Sequence, residues 1–144
     1  MKTLQGMSNN ISVGPESRAA AAAGATALHD ITEGGLLGAL YEMAASSGVG
    51  FCLDARSIPL HPLTQRLCEE LQINPLRFIS SGSLIIACPE ATAMLQAMAA
   101  AGVSATCIGS FTEASRMVLR YLDRDEDIAP PVGDALWEAL ARLL

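Results

Sequence analysis

Lysine and aromatic residues are scarce in this chain, and their scarcity excludes several classes of protein. Lys2 is the single lysine among nine basic residues, which face fifteen acidic ones and leave a formal net charge of −6. A nucleic-acid-binding protein needs a basic surface, so we expect no nucleic-acid partner. Aromatic residues make up only 4% of the chain. The core must therefore be built from Ala, Leu, Ile, Val and Met.

Long apolar runs and paired cysteines are also missing. No stretch approaches the 18 or so apolar residues of a membrane-spanning helix, and the first ten residues lack the apolar centre of a signal peptide. We therefore expect a cytoplasmic chain with no membrane partner. The four cysteines are widely spaced, with no C-x-x-C pair and no neighbouring histidine. This spacing predicts neither a metal site nor a disulfide framework.

The composition that remains is typical of one folded domain. Hydrophobic residues make up 51% of the 144 residues, and the mean hydropathy is +0.34, which excludes a disordered chain. We expect residues 1–10 to be a disordered lead-in and residues 11–144 to form the domain. Alternating apolar runs and amphipathic stretches predict an α/β fold, a mixed β-sheet covered by helices in an α-β-α sandwich.

Residues 26–44 are the most informative stretch of the sequence, because they predict a strand, a turn and a helix in succession. A short apolar run that begins at Thr26 predicts a buried strand, and Gly34 and Gly35 then open an amphipathic helix. Apolar residues recur on one face of this helix, with the spacing that buries a helix against a core. They are Leu36, Leu37, Leu40, Met43 and Ala44.

The glycine pair supports two interpretations. The start of a helix leaves backbone N–H groups unpaired, and glycine lets a ligand or another segment of the chain approach closely. Such a turn can bind an anion, or it can be a tight strand-to-helix turn without a ligand. The residues predicted to line a ligand site, with no catalytic residue assigned, are Asp30, Thr32, Glu33, Gly34, Gly35, Ser81, Gly82 and Ser83.

Several of these residues also have structural interpretations. Asp30 accepts hydrogen bonds from the loop or a substrate hydroxyl, or else caps the helix. Thr32 is the N-cap or a phosphate ligand, with capping favoured. Glu33 near the helix start gains from the helix dipole. His29 is expected to be a hydrogen-bonded, half-buried side chain, and His61 has no assigned role.

The rest of the chain predicts alternating helices and strands. Helices are expected after Gly14, from Leu63 to Gln72, from Pro89 to Ala101 and after Asp134, which can cap the last one. The helix from Leu63 should bury Leu63, Leu67 and Leu71, and the last helix should bury Leu136, Leu140 and Leu143 beside Trp137. Strands are expected at 49–54, at 84–88 in the middle of the sheet, at 103–108, and at 116–122 near an edge. The acidic segment 123–127 is expected to be a solvated turn rather than a calcium loop.

A family resemblance agrees with this order of elements. The segment from Ala27 to Leu40, ALHDITEGGLLGAL, resembles the C-terminal domain of the aminoimidazole ribonucleotide (AIR) synthase, or PurM, superfamily. Later segments agree in the same order. They are SGVG at 47–50, IPL at 58–60, NPL at 74–76, SSGSLIIA at 80–87, IG at 108–109 and DALW at 134–137. Within the superfamily, the chain resembles AIR synthase-related proteins and the hydrogenase expression/formation protein HypE.

The resemblance implies a partner domain that binds ATP and Mg²⁺. Proteins of this superfamily carry an N-terminal ATP-binding half, which also forms the dimer, and no such half precedes residue 11 here. The resemblance therefore implies an ATP-dependent family, with no cofactor bound by this chain alone and no activity by the chain on its own. Its partners would be the ATP-binding half, if the protein is longer, and a second copy in a homodimer. A second copy would cover apolar surface that the missing half leaves bare.

Two departures separate the chain from the hydrogenase-maturation enzymes of the superfamily. At this loop, the sequence of those enzymes resembles His-Asp-Pro-Thr-Arg-Gly-Gly. This chain has Ile31 in place of the proline and Glu33 in place of the arginine. They also end in a reactive cysteine, whereas this sequence ends in Leu144.

Three functions follow as hypotheses. The first is a domain that supplies one wall of a phosphorylated-substrate cleft in an ATP-dependent enzyme. The others are a non-catalytic binding or assembly module and a HypE-like maturation factor.

Overall fold

A computed structural model describes residues 11–143 of the chain, so the lead-in predicted at residues 1–10 lies outside the described residues. The described part contains five α-helices and six β-strands, which confirms the predicted mixed α/β fold. In chain order the elements are α1 (Gly14–Ala22), β1 (Ala27–Asp30), α2 (Gly35–Ser47), β2 (Gly50–Asp54), α3 (Pro62–Leu71), β3 (Leu84–Ala87), α4 (Ala91–Ala100), β4 (Gly109–Thr112), β5 (Met117–Arg120), β6 (Asp125–Asp127) and α5 (Ala135–Leu143). Short 3₁₀ turns lie at Ala55–Ser57 and Pro75–Arg77.

The elements form two compact units. Among the described residues, the first consists of residues 11–31 together with Ser80–Cys107, and the second of Thr32–Ile79 together with residues 108–143. The first unit therefore contains α1, β1, β3 and α4. The second contains α2, α3, α5 and the other four strands.

The first unit is a two-stranded antiparallel sheet with two helices. Strand β1 pairs with β3, so that Ala27 lies opposite Ala87 and Asp30 opposite Leu84. Ala20 of α1 and Met94 and Met98 of α4 are buried together. The prediction of a central strand at residues 84–88 is wrong, because β3 pairs with β1 alone within the described residues. Ile86 packs against the buried helix cluster of this unit, but three of the four residues of β3 are only half-buried. An apolar run therefore does not by itself indicate a strand with neighbours on both sides.

The second unit contains a four-stranded mixed sheet in the order β4-β2-β5-β6. Strand β2 runs antiparallel to β4 and parallel to β5, and β6 is antiparallel to β5. Phe51 and Leu53 of β2 and Leu119 of β5 are almost fully buried. The two inner strands therefore carry the core of this unit, because short apolar strands with neighbours on both sides lose most of their accessible surface.

The strand predicted at 103–108 is wrong, because these residues have no regular structure and β4 begins only at Gly109. Val103 packs beside the buried cluster of the first unit. Pairing with β2 begins where the Asp54 N–H donates to the carbonyl oxygen of Ile108 at 2.9 Å. Val103 therefore serves packing, while the strand forms only in the less apolar sequence after Ile108.

The acidic segment is a strand for part of its length, which corrects the prediction of a turn over 123–127. Strand β6 is held by two arginines, with Arg116 Nε 2.6 Å from Asp127 Oδ1 and Arg120 Nε 3.0 Å from Asp125 Oδ1. These hydrogen bonds lower the pKa of both carboxyl groups. A depressed pKa favours the folded state above the ordinary carboxyl pKa, and this contribution is lost as the pH falls through the lowered value.

The predicted helix bounds are largely confirmed, but two predicted helix faces are wrong. Helix α2 buries Leu37, Leu40, Met43 and Ala44 as expected, with Leu36 half-buried. Helix α3 instead buries Cys68, and its Leu63 and Leu67 are 48% and 46% exposed. Burial of Cys68 raises the pKa of its thiol.

Helix α5 is also turned relative to the prediction. Ala135 and Ala139 are buried, whereas Trp137 is 56% and Leu140 is 39% exposed. Leu136 is half-buried, and the side chain of Leu143 lies outside the described part of the chain. Small alanines face the unit here because they let the helix approach closely, and this leaves the bulkier side chains of the helix outward.

Candidate functional site

The candidate site is the glycine pair between β1 and α2. Gly34 is the N-cap of α2 with a φ of +80°, and Gly35 follows with a φ of +63°. Both angles lie in the left-handed region that side chains rarely adopt, which explains two consecutive glycines. No side chain of α2's own N-terminal turn caps the helix. Thr32 is therefore not the N-cap, and the capping alternative given for it and for Asp30 is wrong.

The Gly34 amide is bonded to a residue one hundred positions away in the sequence. Its N–H donates to Oδ2 of Asp134 at 2.9 Å, and the Leu136 N–H donates to Oδ1 of the same carboxylate at 2.9 Å. Asp134 is 2% exposed and is the one buried charged residue among those described. The carboxylate therefore lies at the start of both α2 and α5, where the positive ends of two helix dipoles favour it. The predicted cap of the last helix is confirmed, and its contact with Gly34 is new.

Gly35 is packed directly against another segment of the second unit. A Cβ at this position would lie 2.7 Å from the carbonyl oxygen of Leu76 and 2.8 Å from backbone atoms of Arg77 and Phe78. Its N–H donates to the Thr32 carbonyl oxygen at 3.2 Å. The close approach that the glycine pair predicted is thus made, at Gly35, by the chain itself.

The remaining residues of this turn are open to solvent. Thr32 and Glu33 are exposed, and the Gly38 N–H donates to the carbonyl oxygen of Gly34 at 3.0 Å. The amides of Gly34 and Gly35 both have partners within the second unit. An external anion at this turn would therefore have to compete with Asp134 for the Gly34 amide.

The other predicted site residues belong to the first unit. Asp30 is the exposed last residue of β1, and Gly82 has a φ of +90° in the turn before β3. Ser80 Oγ and Ser83 Oγ lie 2.9 Å apart, and the Ile31 N–H donates to the Ser83 carbonyl oxygen at 2.9 Å. The structure therefore brings Asp30 beside the turn that contains Ser81, Gly82 and Ser83. Their role as ligands stays a prediction.

The two histidines have structural contacts. Nδ1 of the half-buried His29 lies 2.6 Å from the carbonyl oxygen of Asp30. His61 is the N-cap of α3, and its Nδ1 accepts the Leu63 N–H at 3.2 Å. Sequence reasoning assigned no role to His61. The histidine directly before Pro62, at the start of an amphipathic run, was the signal that could have identified the cap.

A second polar cluster follows β2. Asp54 Oδ1 accepts hydrogen bonds from the Arg56 backbone N–H at 3.0 Å and from its Nε at 3.2 Å, and the Ser57 hydroxyl lies 3.3 Å from Oδ2. The hydrogen bonds from Arg56 lower the pKa of Asp54.

Within residues 11–143, no group of three His, Cys, Asp or Glu side chains is placed to hold a metal ion. No helix of that part of the chain is long and apolar enough to span a membrane.

The second unit also contains a cleft of about 280 Å³. Asn74, Arg77 and Glu138 are its polar side chains, and Pro130 and Val132 are among its apolar ones. The cleft lies beside the 3₁₀ turn Pro75–Arg77 and the segment that leads into α5.

Comparison with known proteins gives one family and a consistent set of relatives. Residues 13–122 match the model of the family described as AIR synthase related protein, C-terminal domain. The carbamoyl dehydratase HypE of Rhodobacter capsulatus is 42% identical over 74 residues, which cover 51% of this chain and 22% of that protein. The enzyme of the same name from Escherichia coli K12 is 36% identical over 95 residues, covering 62% of this chain and 28% of that protein.

Solved structures show the same relationship. A crystal structure of E. coli HypE has a TM-score of 0.68 at 29% identity and covers 81% of this chain and 38% of that chain. A structure of the hydrogenase maturation protein HypE in complex with ATP has a TM-score of 0.65 at 27% identity, covering 72% and 35%. The chain thus spans about a quarter of the length of these curated relatives and little more than a third of the solved chains.

Proposed function

We propose, from the premise that this chain belongs to the AIR synthase related protein family as its C-terminal domain, that it serves an ATP-dependent, HypE-like hydrogenase maturation protein. In this proposal the domain forms one wall of a cleft for a phosphorylated ligand. The observation that carries it is the identity of 36–42% to carbamoyl dehydratases named HypE. The presence of ATP in one similar structure supports a nucleotide-dependent role.

The glycine-rich turn at the start of α2 is the proposed contact with the anion. Exposed Thr32 and Glu33 flank it, and two helix starts concentrate positive dipole at Gly34. Asp134 already supplies an anion at this position, so we propose that a ligand phosphate competes with its carboxylate. Glu33 would repel a bare phosphate less when Mg²⁺ is bound to that phosphate. The predicted roles of Asp30 and of the turn at residues 81–83 remain separate proposals in the first unit.

ATP and Mg²⁺ are implied by the family rather than by the residues of this chain. Residues 11–143 contain no cluster of acidic side chains suited to Mg²⁺, so we derive no step of phosphoryl transfer through a metal held here. We propose that the other part of a longer protein, or a separate partner, contributes those ligands. Pairing with a second copy also stays a proposal, supported by the half-exposed leucines Leu63 and Leu67 of α3.

A non-catalytic assembly module is the second candidate function. It is favoured by the internal occupation of the Gly34 amide, because a turn filled by the chain's own carboxylate needs no ligand. In that case the domain would keep the family fold in order to present a surface for binding a partner, and the turn would bind no ligand.

Titration with inorganic phosphate distinguishes the two functions. We expect phosphate to shift the backbone amide resonances of Gly34 and Gly35 in ¹⁵N NMR spectra, while Gly48 at the end of α2 stays unchanged. Asp134→Asn should bind phosphate about fivefold more tightly, because it removes a like charge about 4 Å from the anion. Sodium chloride at equal ionic strength is the control. Shifts confined to another surface, or an Asp134→Asn chain that binds no more tightly, would count against the ligand wall and favour the assembly module.

A further inference from the structure

The cleft of the second unit holds two opposite charges that do not pair with each other. Arg77 and Glu138 both line it, yet the guanidinium of Arg77 forms no ion pair with the carboxylate of Glu138. Within residues 11–143, the hydrogen bonds of these two residues involve their main chains. The Arg77 N–H donates to the Asn74 carbonyl oxygen at 3.0 Å, and Arg142 Nε donates to the Glu138 carbonyl oxygen at 3.3 Å. Two charged side chains are thus left available in one small volume.

Two of the polar side chains of the cleft, Asn74 and Arg77, are suited to a carboxylate. Oδ1 of Asn74 accepts the Leu76 N–H at 2.9 Å, which fixes the orientation of the side-chain amide and leaves its NH₂ group as a donor. Arg77 adds a guanidinium with several N–H donors, and hydrogen bonds between ionised partners are stronger than neutral ones. Together these two side chains can bind a carboxylate by complementary charge and hydrogen bonding.

The other features of the cleft limit what else the ligand contains. The carboxylate of Glu138 is negatively charged and accepts hydrogen bonds, so it favours an ammonium group. Pro130 and Val132 also line the cleft, and Val132 is 92% exposed. A short hydrocarbon segment would cover this apolar surface. The volume of about 280 Å³ lies just below the range for drug-sized ligands, which suits a smaller molecule.

We propose that this cleft binds a small zwitterion of amino-acid size, with its carboxylate at Asn74 and Arg77 and its ammonium group at Glu138. The cleft adjoins the glycine-rich turn, because Gly35 packs against the backbone of Arg77 and Gly133 directly precedes Asp134. It uses other side chains, however, and does not depend on the function proposed for that turn. A monocarboxylate satisfies only the first half of the cleft, and a simple amine satisfies only the second. The separation of the two charges in the ligand therefore determines its affinity.

A series of ω-amino acids tests the proposal on the full 144-residue chain. Glycine, β-alanine, γ-aminobutyrate and 5-aminovalerate carry the same two charges at increasing separation, and acetate and methylammonium carry one charge each. In ¹⁵N NMR titrations we expect one member of the series to shift the amides of Arg77, Gly133 and Glu138 together. That member should bind about tenfold more tightly than either single-charge probe, the effect of one added charge-assisted hydrogen bond.

Two substitutions assign the two ends of the ligand. Arg77→Gln should weaken both the preferred amino acid and acetate about tenfold, whereas Glu138→Gln should weaken the amino acid and methylammonium but not acetate. Arg66→Gln and Glu70→Gln, on exposed positions of α3, are matched controls and should change neither. The proposal is overturned if every probe shifts the same amides equally. It is also overturned if Arg77→Gln and Glu138→Gln chains with intact spectra bind like the parent chain.

Discussion

Replacing Asp134 by alanine is expected to lower the free energy of unfolding of the second unit by about 3 kcal/mol. The substitution removes the N-cap of α5, where the carboxylate accepts the Leu136 N–H, and it leaves the Gly34 N–H without its acceptor. An N-cap contributes about 1 kcal/mol, and a buried donor left unpaired costs about 1–3 kcal/mol. Urea denaturation measures this loss of stability. The fluorescence of Trp137, the single tryptophan, reports the unfolding from α5 itself.

Two further variants separate the contributions of Asp134. Asparagine keeps one acceptor oxygen in place of two, so Asp134→Asn should lose about half as much stability as Asp134→Ala. Asp123 has a side chain that is 78% exposed, and Asp123→Ala should stay within about 0.5 kcal/mol of the parent chain. If Asp134→Ala matched Asp123→Ala, the bond to Gly34 would contribute nothing to the fold.

Replacing Gly35 by alanine is expected to destabilise the second unit by about 3 kcal/mol or more. The left-handed φ of +63° costs free energy for alanine, and the alanine Cβ would lie 2.7 Å from the Leu76 carbonyl oxygen. Backbone atoms cannot move aside as the end of a flexible side chain can, so the helix start or the 3₁₀ turn must shift. The same urea titration measures the loss, together with NMR spectra that report which amides have moved.

Gly48 provides the matched control for Gly35. Its φ of +67° is nearly the same, but nothing lies within 4 Å of a Cβ built there. Gly48→Ala therefore carries the backbone cost alone, about 1 kcal/mol. Equal losses in the two variants would mean that Gly35 is required for its φ and not for close packing.

The sequence predicted the glycine-rich turn well because its signals are local. Helix periodicity after Gly35 and the glycine pair itself identified the helix and a close approach to its backbone, while leaving open whether a ligand or another segment makes that approach. Asp134 was predicted as the cap of the last helix, because a capping aspartate precedes the helix that it caps. Its second hydrogen bond, to Gly34, joins residues one hundred positions apart, and no spacing rule contains that information.

Errors arose where burial depends on tertiary neighbours. Residues 103–108 have the composition of a strand but pair with β2 only at their end, and β4 begins with glycine, which is depleted in strands. The leucines of α3 have helical spacing, yet Cys68 is the residue that the unit buries. Leucine spacing predicts an amphipathic helix, but the face that packs is decided by the surfaces available to it. The unpaired charges of Arg77 and Glu138 could not be found from sequence, because the two residues meet at one cleft only in the folded unit.

A domain exchange tests the proposed function most directly. Residues 11–143, which include the span 13–122 that matches the family model and also the Asp134 bond to Gly34, would replace the corresponding domain in the carbamoyl dehydratase HypE of Rhodobacter capsulatus. The measurement is ATP-dependent phosphate release with Mg²⁺ by the chimera, compared with the 144-residue chain alone and with a chimera that carries Gly35→Ala. We predict release by the first chimera, none above background by the chain alone, and a strong reduction with Gly35→Ala. A folded chimera without activity, or turnover by the chain alone, would contradict the proposal that this domain is one wall of an ATP-dependent enzyme.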